Sequence, residues 1–141
     1  MIRITESAII HRSPEDIFDL AADPVRQLEW DPKTLRSVEK LTPGPLDRGA
    51  RYRGSFKGYG TVEYDFVEYD PPRAFAHHAT MKMGEMKHTF TLEPVPEGTR
   101  LTQVGELQPN LLGRIMSPML RSGLKKRFRR IASELDEFTA S

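Results

Sequence analysis

Residues 34 to 107 carry an almost unbroken series of strand signals, and only one stretch outside them is long enough for an extended helix. Apolar and polar residues alternate there, as in Val62, Tyr64 and Phe66, which is the period of a half-buried strand. An apolar sheet face must be covered by another layer. Together with a first strand over residues 2–10, the sequence predicts an α+β fold in which a curved antiparallel sheet of about seven strands wraps around a long C-terminal helix.

Two short helices are predicted directly after the first strand. Ser13 can cap a helix that has Pro14 at its first position, and acidic residues follow in the first turn. A second helix can begin at Pro24 and end at Trp30, because a proline two residues later disfavours further helical turns. These signals place both helices before the main series of strands.

The C-terminal segment is predicted to contain one long helix preceded by a separate short turn or helix. Ser117 and Pro118 repeat the cap-and-proline signal, and the apolar residues that follow fall on one narrow stripe of a helical wheel. The apolar residues just before this signal fall on the opposite side of the wheel, which implies a break. We therefore expect the long helix at about 118–138 and the short element at 110–116.

Two hairpins are predicted with a specific register. A loop over residues 58–60 would bring Tyr52 opposite Phe66, so that the apolar faces of the two strands coincide. In the following hairpin, the same reasoning places His77 diagonally across from His88 on one face. Both imidazoles are therefore expected to point toward the inside of the sheet.

Composition limits the classes of function. The chain has 141 residues, which predicts a single domain over residues 1–141. It contains no cysteine, which excludes disulfides, thiolate metal sites and cysteine nucleophiles. No apolar run is long enough to cross a bilayer, and the first residues lack a secretory signal, so a cytoplasmic location is expected.

Five short motifs occur in order along almost the whole chain. They are residues 13–18, Asp23-Pro24 followed by Trp30, Gly49 with Tyr52, residues 70–73, and residues 98–100. In this order the chain resembles the START-like superfamily of helix-grip proteins, and within it the polyketide cyclase/dehydrase and lipid transport group. The resemblance implies a deep cavity between the sheet and the C-terminal helix that holds an apolar small molecule. Members include carriers, cyclases and co-chaperones, so the fold alone does not settle activity, and the matched motifs contain no catalytic residue.

Inward-facing positions nominate the residues that line such a cavity. They are Trp30, Tyr52, Phe56, Tyr64, Phe66, His77, Met81, Met86, His88, Phe90, Gln103, Leu120 and Leu124. A concave apolar wall with a few polar groups is the usual form of a small-ligand site. We therefore predict binding or transport of a lipid, isoprenoid, polyketide or aromatic compound, against the alternative of a filled core.

His77, His88, Tyr64 and Gln103 are the candidate hydrogen-bonding groups of this site. Histidines satisfied within the core are the commoner outcome. In an alternative function, a cyclase or dehydratase, His77 or His88 would abstract a proton and Tyr64 would steady the developing oxyanion. Because no third inward ligand accompanies the two histidines, no metal site and no cofactor are expected. A protein-interaction module is a third alternative.

The most basic run of the chain lies on the C-terminal helix. Lys125, Lys126, Arg129 and Arg130 spread over the side opposite Leu124, which is typical of a solvated outer face. Their alternative role is transient contact with an anionic membrane surface. Nucleic-acid binding is not expected, because the isoelectric point is only about 8.0 and no aromatic residues interleave on that face.

Overall fold

The computed structural model describes residues 1–140 and contains seven strands and four helices. In chain order these elements are β1 (Ile2–Ile10), α1 (Pro14–Ala22), α2 (Pro24–Trp30), β2 (Leu35–Lys40), β3 (Arg51–Phe56), β4 (Gly60–Asp70), β5 (Ala74–Met81), β6 (Gly84–Val95), β7 (Gly98–Pro109), α3 (Leu111–Ile115) and α4 (Ser117–Ala140). The strands form one antiparallel sheet in the order β1-β7-β6-β5-β4-β3-β2, with every strand paired to its neighbour. The predicted α+β helix-grip fold is confirmed.

The helices begin where the local signals place them. The Ser13 side chain accepts a hydrogen bond from the Asp16 amide, and the Asp23 side chain accepts one from the Val25 amide at 2.9 Å. The C-terminal helix is longer than expected, because it begins at Ser117 and continues beyond residue 138. The break before it is confirmed, since α3 is a separate short helix.

The register predicted for the β3–β4 hairpin is wrong by two residues. Tyr52 pairs with Tyr64 instead of Phe66, and Phe56 pairs with Gly60. The turn therefore consists of residues 57–59, while the positive φ of 77° at Gly60 is accommodated inside the ladder. A shift of two residues returns every side chain to the same face, so the predicted inward positions are unaffected.

The register predicted for the β5–β6 hairpin is also wrong by two residues. His77 lies directly opposite His88 instead of diagonal to it, and Met81 pairs with Gly84. Gly84 belongs to the strand because β7 passes very close to it: an added Cβ would lie 2.1 Å from the carbonyl oxygen of Gln108. The turn is thus set by contact with a strand that comes later in the chain.

The long helix packs closely over Gly105 in β7. A Cβ at this position would lie 2.6 Å from the ring of Phe128, which is almost fully buried between α4 and the sheet. Phe128 also stacks on His88 with a centroid separation of 4.2 Å. Gly105 therefore sets how deeply α4 sits on the sheet and how much space remains beside it.

Replacing Gly105 with alanine is expected to lower the free energy of unfolding by about 1–3 kcal/mol, because the buried Phe128 ring must move from its packed position. The matched control is Gly123→Ala in α4, where an added Cβ meets nothing within 4 Å. This control is expected to raise the free energy of unfolding by up to about 1 kcal/mol through helix propensity. Urea unfolding measures both, and equal effects for the two variants would contradict the close approach.

Candidate functional site

A cavity of about 140 Å³ lies between the inner face of the sheet, α2 and α4. Nine of the residues predicted to face inward line it: Trp30, Phe56, Tyr64, His77, Met81, Met86, His88, Phe90 and Leu124. The wall is predominantly aromatic and aliphatic, and it is open to solvent on one side. Its volume is close to that of an engineered apolar cavity that accepts benzene, so the enclosed space matches one ring.

Four residues of the predicted lining lie elsewhere. Tyr52 lies behind the wall, where it stacks on Tyr64 with a centroid separation of 5.9 Å. Phe66 is buried against the edge of His77, and Gln103 is buried below α4. Leu120 packs into a second apolar cluster with Met86 and Leu124. These side chains support the cavity wall without reaching the cavity.

His88 is held between two aromatic rings and by a chain of hydrogen bonds. Its ring stacks on Phe90 and on Phe128, each at a centroid separation of 4.2 Å. The Gln103 amide nitrogen donates to the Phe128 carbonyl at 2.7 Å, so its oxygen accepts from His88 Nε2 at 3.1 Å. His88 is therefore the tautomer protonated at Nε2. Burial, followed by the neighbouring His77, lowers the pKa of His88 well below 6.5.

Unlike His88, both His77 and Tyr64 have a buried polar atom without a hydrogen-bond partner among residues 1–140. These atoms are His77 Nε2 and the Tyr64 hydroxyl, on neighbouring strands, and the two rings are 5.2 Å apart. Burial lowers the pKa of His77 to about 4 and raises the pKa of Tyr64 well above 10. Both side chains are therefore uncharged at neutral pH, with free capacity to form hydrogen bonds.

A buried ion pair borders the cavity and was not predicted from the sequence. The Arg127 guanidinium in α4 donates to both carboxylate oxygens of Asp31, at 3.1 and 2.6 Å. Gln27 in α2 donates to the same carboxylate at 2.9 Å. Burial alone would raise the pKa of Asp31, but the hydrogen bonds and charge of Arg127 outweigh it and lower that pKa. A sequence signal existed: on the helical wheel Arg127 lies about 60° from Leu124, just beside the apolar stripe.

Glu134 lies beside this ion pair, about two helical turns after Arg127 along α4. Burial, together with the adjacent Asp31 carboxylate, raises the pKa of Glu134 to about 7. One of its carboxyl oxygens is buried without a hydrogen-bond partner among residues 1–140, and the other is 3.9 Å from Arg130. The interface between α2 and α4 thus holds a group that titrates near neutrality.

The four basic residues predicted to face outward are all exposed, and two of them form side-chain hydrogen bonds within the protein. Arg129 donates to Glu6 at 2.9 Å. Arg130 donates to the Thr34 hydroxyl at 3.0 Å. Lys125 and Lys126 are exposed and form no ion pair with any residue that the structure describes.

Comparison with known proteins places the chain in a family. The sequence profile described as polyketide cyclase/dehydrase and lipid transport matches residues 1–137. The chain belongs to this family. Polyketide cyclase/dehydrase and lipid transport proteins share the ligand-binding fold described above, which supports a ligand-binding role in general and a hydrophobic small molecule as the ligand. No protein of curated function matches the sequence significantly.

Solved structures similar to this member of the polyketide cyclase/dehydrase and lipid transport family share its fold at low sequence identity. Protein MLL2253 from Mesorhizobium loti has a TM-score of 0.72 at 18% identity, over 96% of this chain and 98% of that chain. The Aha1 dimer from Colwellia psychrerythraea has a TM-score of 0.72 at 15% identity, over 97% and 95%. DynU16, from the dynemicin biosynthetic locus, has a TM-score of 0.73 at 17% identity, over 99% of this chain and 47% of that chain.

Within residues 1–140, no group of three or more histidine and acidic side chains is arranged to hold a metal ion. None of the helices in this part of the chain has the length and apolar character needed to span a bilayer.

Proposed function

We propose that the protein binds an uncharged small molecule whose ring occupies the cavity and whose oxygen atom bonds to Tyr64 and His77. The observation that carries this proposal is the pair of buried polar atoms that have no hydrogen-bond partner among residues 1–140, in a wall that is predominantly apolar. Leaving a buried hydroxyl unpaired costs about 1–3 kcal/mol. A ligand carbonyl or phenol group would recover this energy, because Tyr64 can donate a hydrogen bond to it.

Cavity size narrows the ligand class. Typical sites for drug-sized ligands have volumes of about 300–1,000 Å³. At about 140 Å³ this cavity accepts one aromatic ring or a short branched chain, and its open side leaves room for a longer tail to extend outward. The proposal therefore favours an aromatic or polyketide-like head group over a fully enclosed lipid. It includes a cytoplasmic site of action.

Proton abstraction, the chemistry of the alternative enzyme, receives less support. A general base works best when its pKa is near the operating pH. The pKa of His77 is about 4, and His88 already uses its Nε2 proton to bond Gln103. These groups are suited to hydrogen bonding more than to removing a proton from carbon. A binding role also explains the buried unpaired atoms, which the interaction-module alternative does not.

The test is isothermal titration of four ring compounds: acetophenone, phenol, ethylbenzene and benzoate. Acetophenone and phenol are expected to bind, because both offer an oxygen atom to Tyr64. Benzoate is expected to bind much more weakly, since its carboxylate would be buried beside the neutral Tyr64 and His77, and Arg127 at the wall is already paired with Asp31. No binding of any of the four by calorimetry, and no stabilisation against heat, would contradict the proposal.

The Tyr64→Phe variant isolates the hydroxyl group. It is expected to weaken acetophenone binding by about 3- to 10-fold, which corresponds to one hydrogen bond, and to leave ethylbenzene binding unchanged. The free protein is expected to become more stable by about 1 kcal/mol, because the unpaired hydroxyl is removed from the core. Tyr69→Phe is the matched control, since Tyr69 packs against Phe18 outside the cavity. Equal loss of affinity in both variants would argue against the assigned contact.

A further inference from the structure

The densest group of exposed apolar side chains lies on α3 and the start of α4. Four of the eight large apolar side chains that are strongly exposed among residues 1–140 lie here, and they are 48% to 75% exposed. These four are Leu111, Leu112, Ile115 and Met119, and we call them the α3 face. Backbone hydrogen bonds continue across the junction, from the Met116 amide to Leu112 and from the Leu120 amide to Met116. Residues four apart therefore project from the same side.

Hydrogen bonds and close backbone packing fix the α3 face against the β5–β6 turn. The Asn110 side chain accepts from the Gly113 amide at 2.9 Å and donates to the Lys82 carbonyl at 2.8 Å. Gly113 lies against the β5–β6 turn, where an added Cβ would be 2.2 Å from the Met83 carbonyl oxygen. The exposed side chains are thus presented in a fixed arrangement, and their exposure is not a result of local disorder.

The segment of chain that carries the α3 face has charges of one sign. Between Glu106 and Glu134 the chain contains seven lysines and arginines and no acidic residue. Four of the seven are exposed and form no ion pair within the described part of the chain: Arg114, Arg121, Lys125 and Lys126, of which Arg121 donates to the Arg3 carbonyl at 3.3 Å. Exposed aliphatic side chains accompanied by unpaired cations are typical of a helix that lies in a membrane interface.

The α3 face is also close to the cavity. On the inner side of the same segment, Leu120 and Met83 pack in one cluster with Met81, and Met81 lines the cavity. Leu124, one turn beyond Leu120 on α4, lines it as well. A surface that contacts the α3 face would therefore lie near the side chains that border the cavity.

We propose that the α3 face is a docking surface for a bilayer that contains anionic phospholipids. The four aliphatic side chains enter the boundary between head groups and acyl chains, while Arg114, Lys125 and Lys126 contact the lipid phosphates. This role goes beyond ligand binding and does not depend on it, because none of these contacts involves Tyr64 or His77. It moves the expected membrane contact from Arg129 and Arg130, which are paired, to the preceding helical turns.

The test is sedimentation of the full chain with two kinds of vesicle. One contains phosphatidylcholine alone, and the other contains equal amounts of phosphatidylcholine and phosphatidylglycerol. Binding is expected for the anionic vesicles, with weaker binding at high salt because the charge contribution is screened. Failure to bind the anionic vesicles, or equal binding to both kinds, would overturn the proposal.

Paired variants distinguish the apolar and the charged contributions. Leu111→Gln combined with Ile115→Gln is expected to weaken vesicle binding by about 30-fold or more. Lys125→Glu combined with Lys126→Glu is expected to have an effect of about the same size. The matched controls are Val25→Gln, which removes an exposed apolar side chain from α2, and Lys33→Glu combined with Arg36→Glu, which makes the same charge change elsewhere.

The outcomes separate the possible occupants of the α3 face. Because all substituted positions are exposed, each variant is expected to fold, and circular dichroism verifies this. Equal losses in the control variants would show a non-specific charge effect and would overturn the proposal. So would a concentration-dependent dimer, measured by sedimentation velocity, that disappears in the Leu111→Gln, Ile115→Gln variant while vesicle binding is absent. That result would make the α3 face an interface between two copies of the chain.

Discussion

Replacing Arg127 with methionine is expected to lower the free energy of unfolding by about 3–5 kcal/mol. Asp31 is completely buried, and Arg127 supplies two of its hydrogen bonds as well as the only opposite charge that contacts it among the described residues. Without Arg127 the carboxylate must remain buried beside Glu134, with the hydrogen bond from Gln27 still in place, or take up a proton. Urea unfolding at neutral pH measures the loss.

A double variant separates two quantities: the net contribution of the ion pair to the free energy of unfolding, and the loss that follows when only one partner is removed. Asp31→Leu combined with Arg127→Met is expected to recover most of the lost stability, because both charges leave the interior together. The matched control is Arg53→Met on β3, whose ion pair with Glu39 has the same shortest distance of 2.6 Å but lies at the surface. The control is expected to cost less than about 1 kcal/mol. Equal losses in Arg53→Met and Arg127→Met would show that burial does not govern the effect.

Lowering the pH from 6.5 toward 4 is expected to destabilise the protein through its two buried histidines. The pKa of His77 falls from 6.5 to about 4 on folding, and that of His88 is lowered in the same direction. In this pH range the unfolded chain binds protons that the folded chain does not, so stability is present above 6.5 and is lost as the pH falls. At 1.36 kcal/mol per pKa unit, protonation of His77 lowers the free energy of unfolding by about 3 kcal/mol over this pH range.

Glu134 acts in the opposite direction over part of the same range. Its pKa rises from 4.5 to about 7 on folding, so the folded state holds a proton that the unfolded state has released. That contribution is present below 4.5 and is lost as the pH rises through 7. The measured profile is therefore a sum, and variants are needed to resolve it. Glu134→Gln is expected to make the acid destabilisation steeper, while His77→Phe is expected to make it shallower.

Unfolding free energies measured at several pH values between 4 and 7 test both expectations. His78→Phe is the matched control for His77→Phe, because His78 is the next residue of β5 but lies on the solvent side of the sheet. The difference in slope between the two variants then measures what burial of His77 contributes. A His77→Phe variant with an unchanged slope would mean that His77 is not a buried neutral group.

Much of the architecture follows from local rules. The caps at Ser13 and Asp23 and the prolines that follow them define the start of α1 and α2, because they satisfy backbone amides within one helical turn. The alternation in β3 to β6 identifies the inner face, since successive side chains of any strand point to opposite sides. Seven of the nine predicted residues that were found at the cavity lie on these strands, and alternation identified them.

Register is the first property that the pattern could not resolve. A slip of two residues preserves the face of each side chain, so the pairing of Tyr52 with Phe66 or with Tyr64 satisfies the same hydrophobic pattern. In the β3–β4 hairpin the register depends on the turn geometry at Gly60. In the β5–β6 hairpin it depends on the close passage of β7 over Gly84. Such contacts join residues far apart in the sequence, and a local pattern carries no information about them.

By itself, then, the sequence determined the order of elements, the positions of the helix starts and the faces of the strands, because each depends on neighbours within a few residues. Only the tertiary structure decided which polar groups near the cavity have partners. It paired Arg127 with Asp31 across α2 and α4, joined His88 to Gln103, and left His77 and Tyr64 with buried polar atoms unbonded. The physical reason is that hydrogen bonding and burial depend on the packing of distant segments, which also sets how far α4 stands from the sheet.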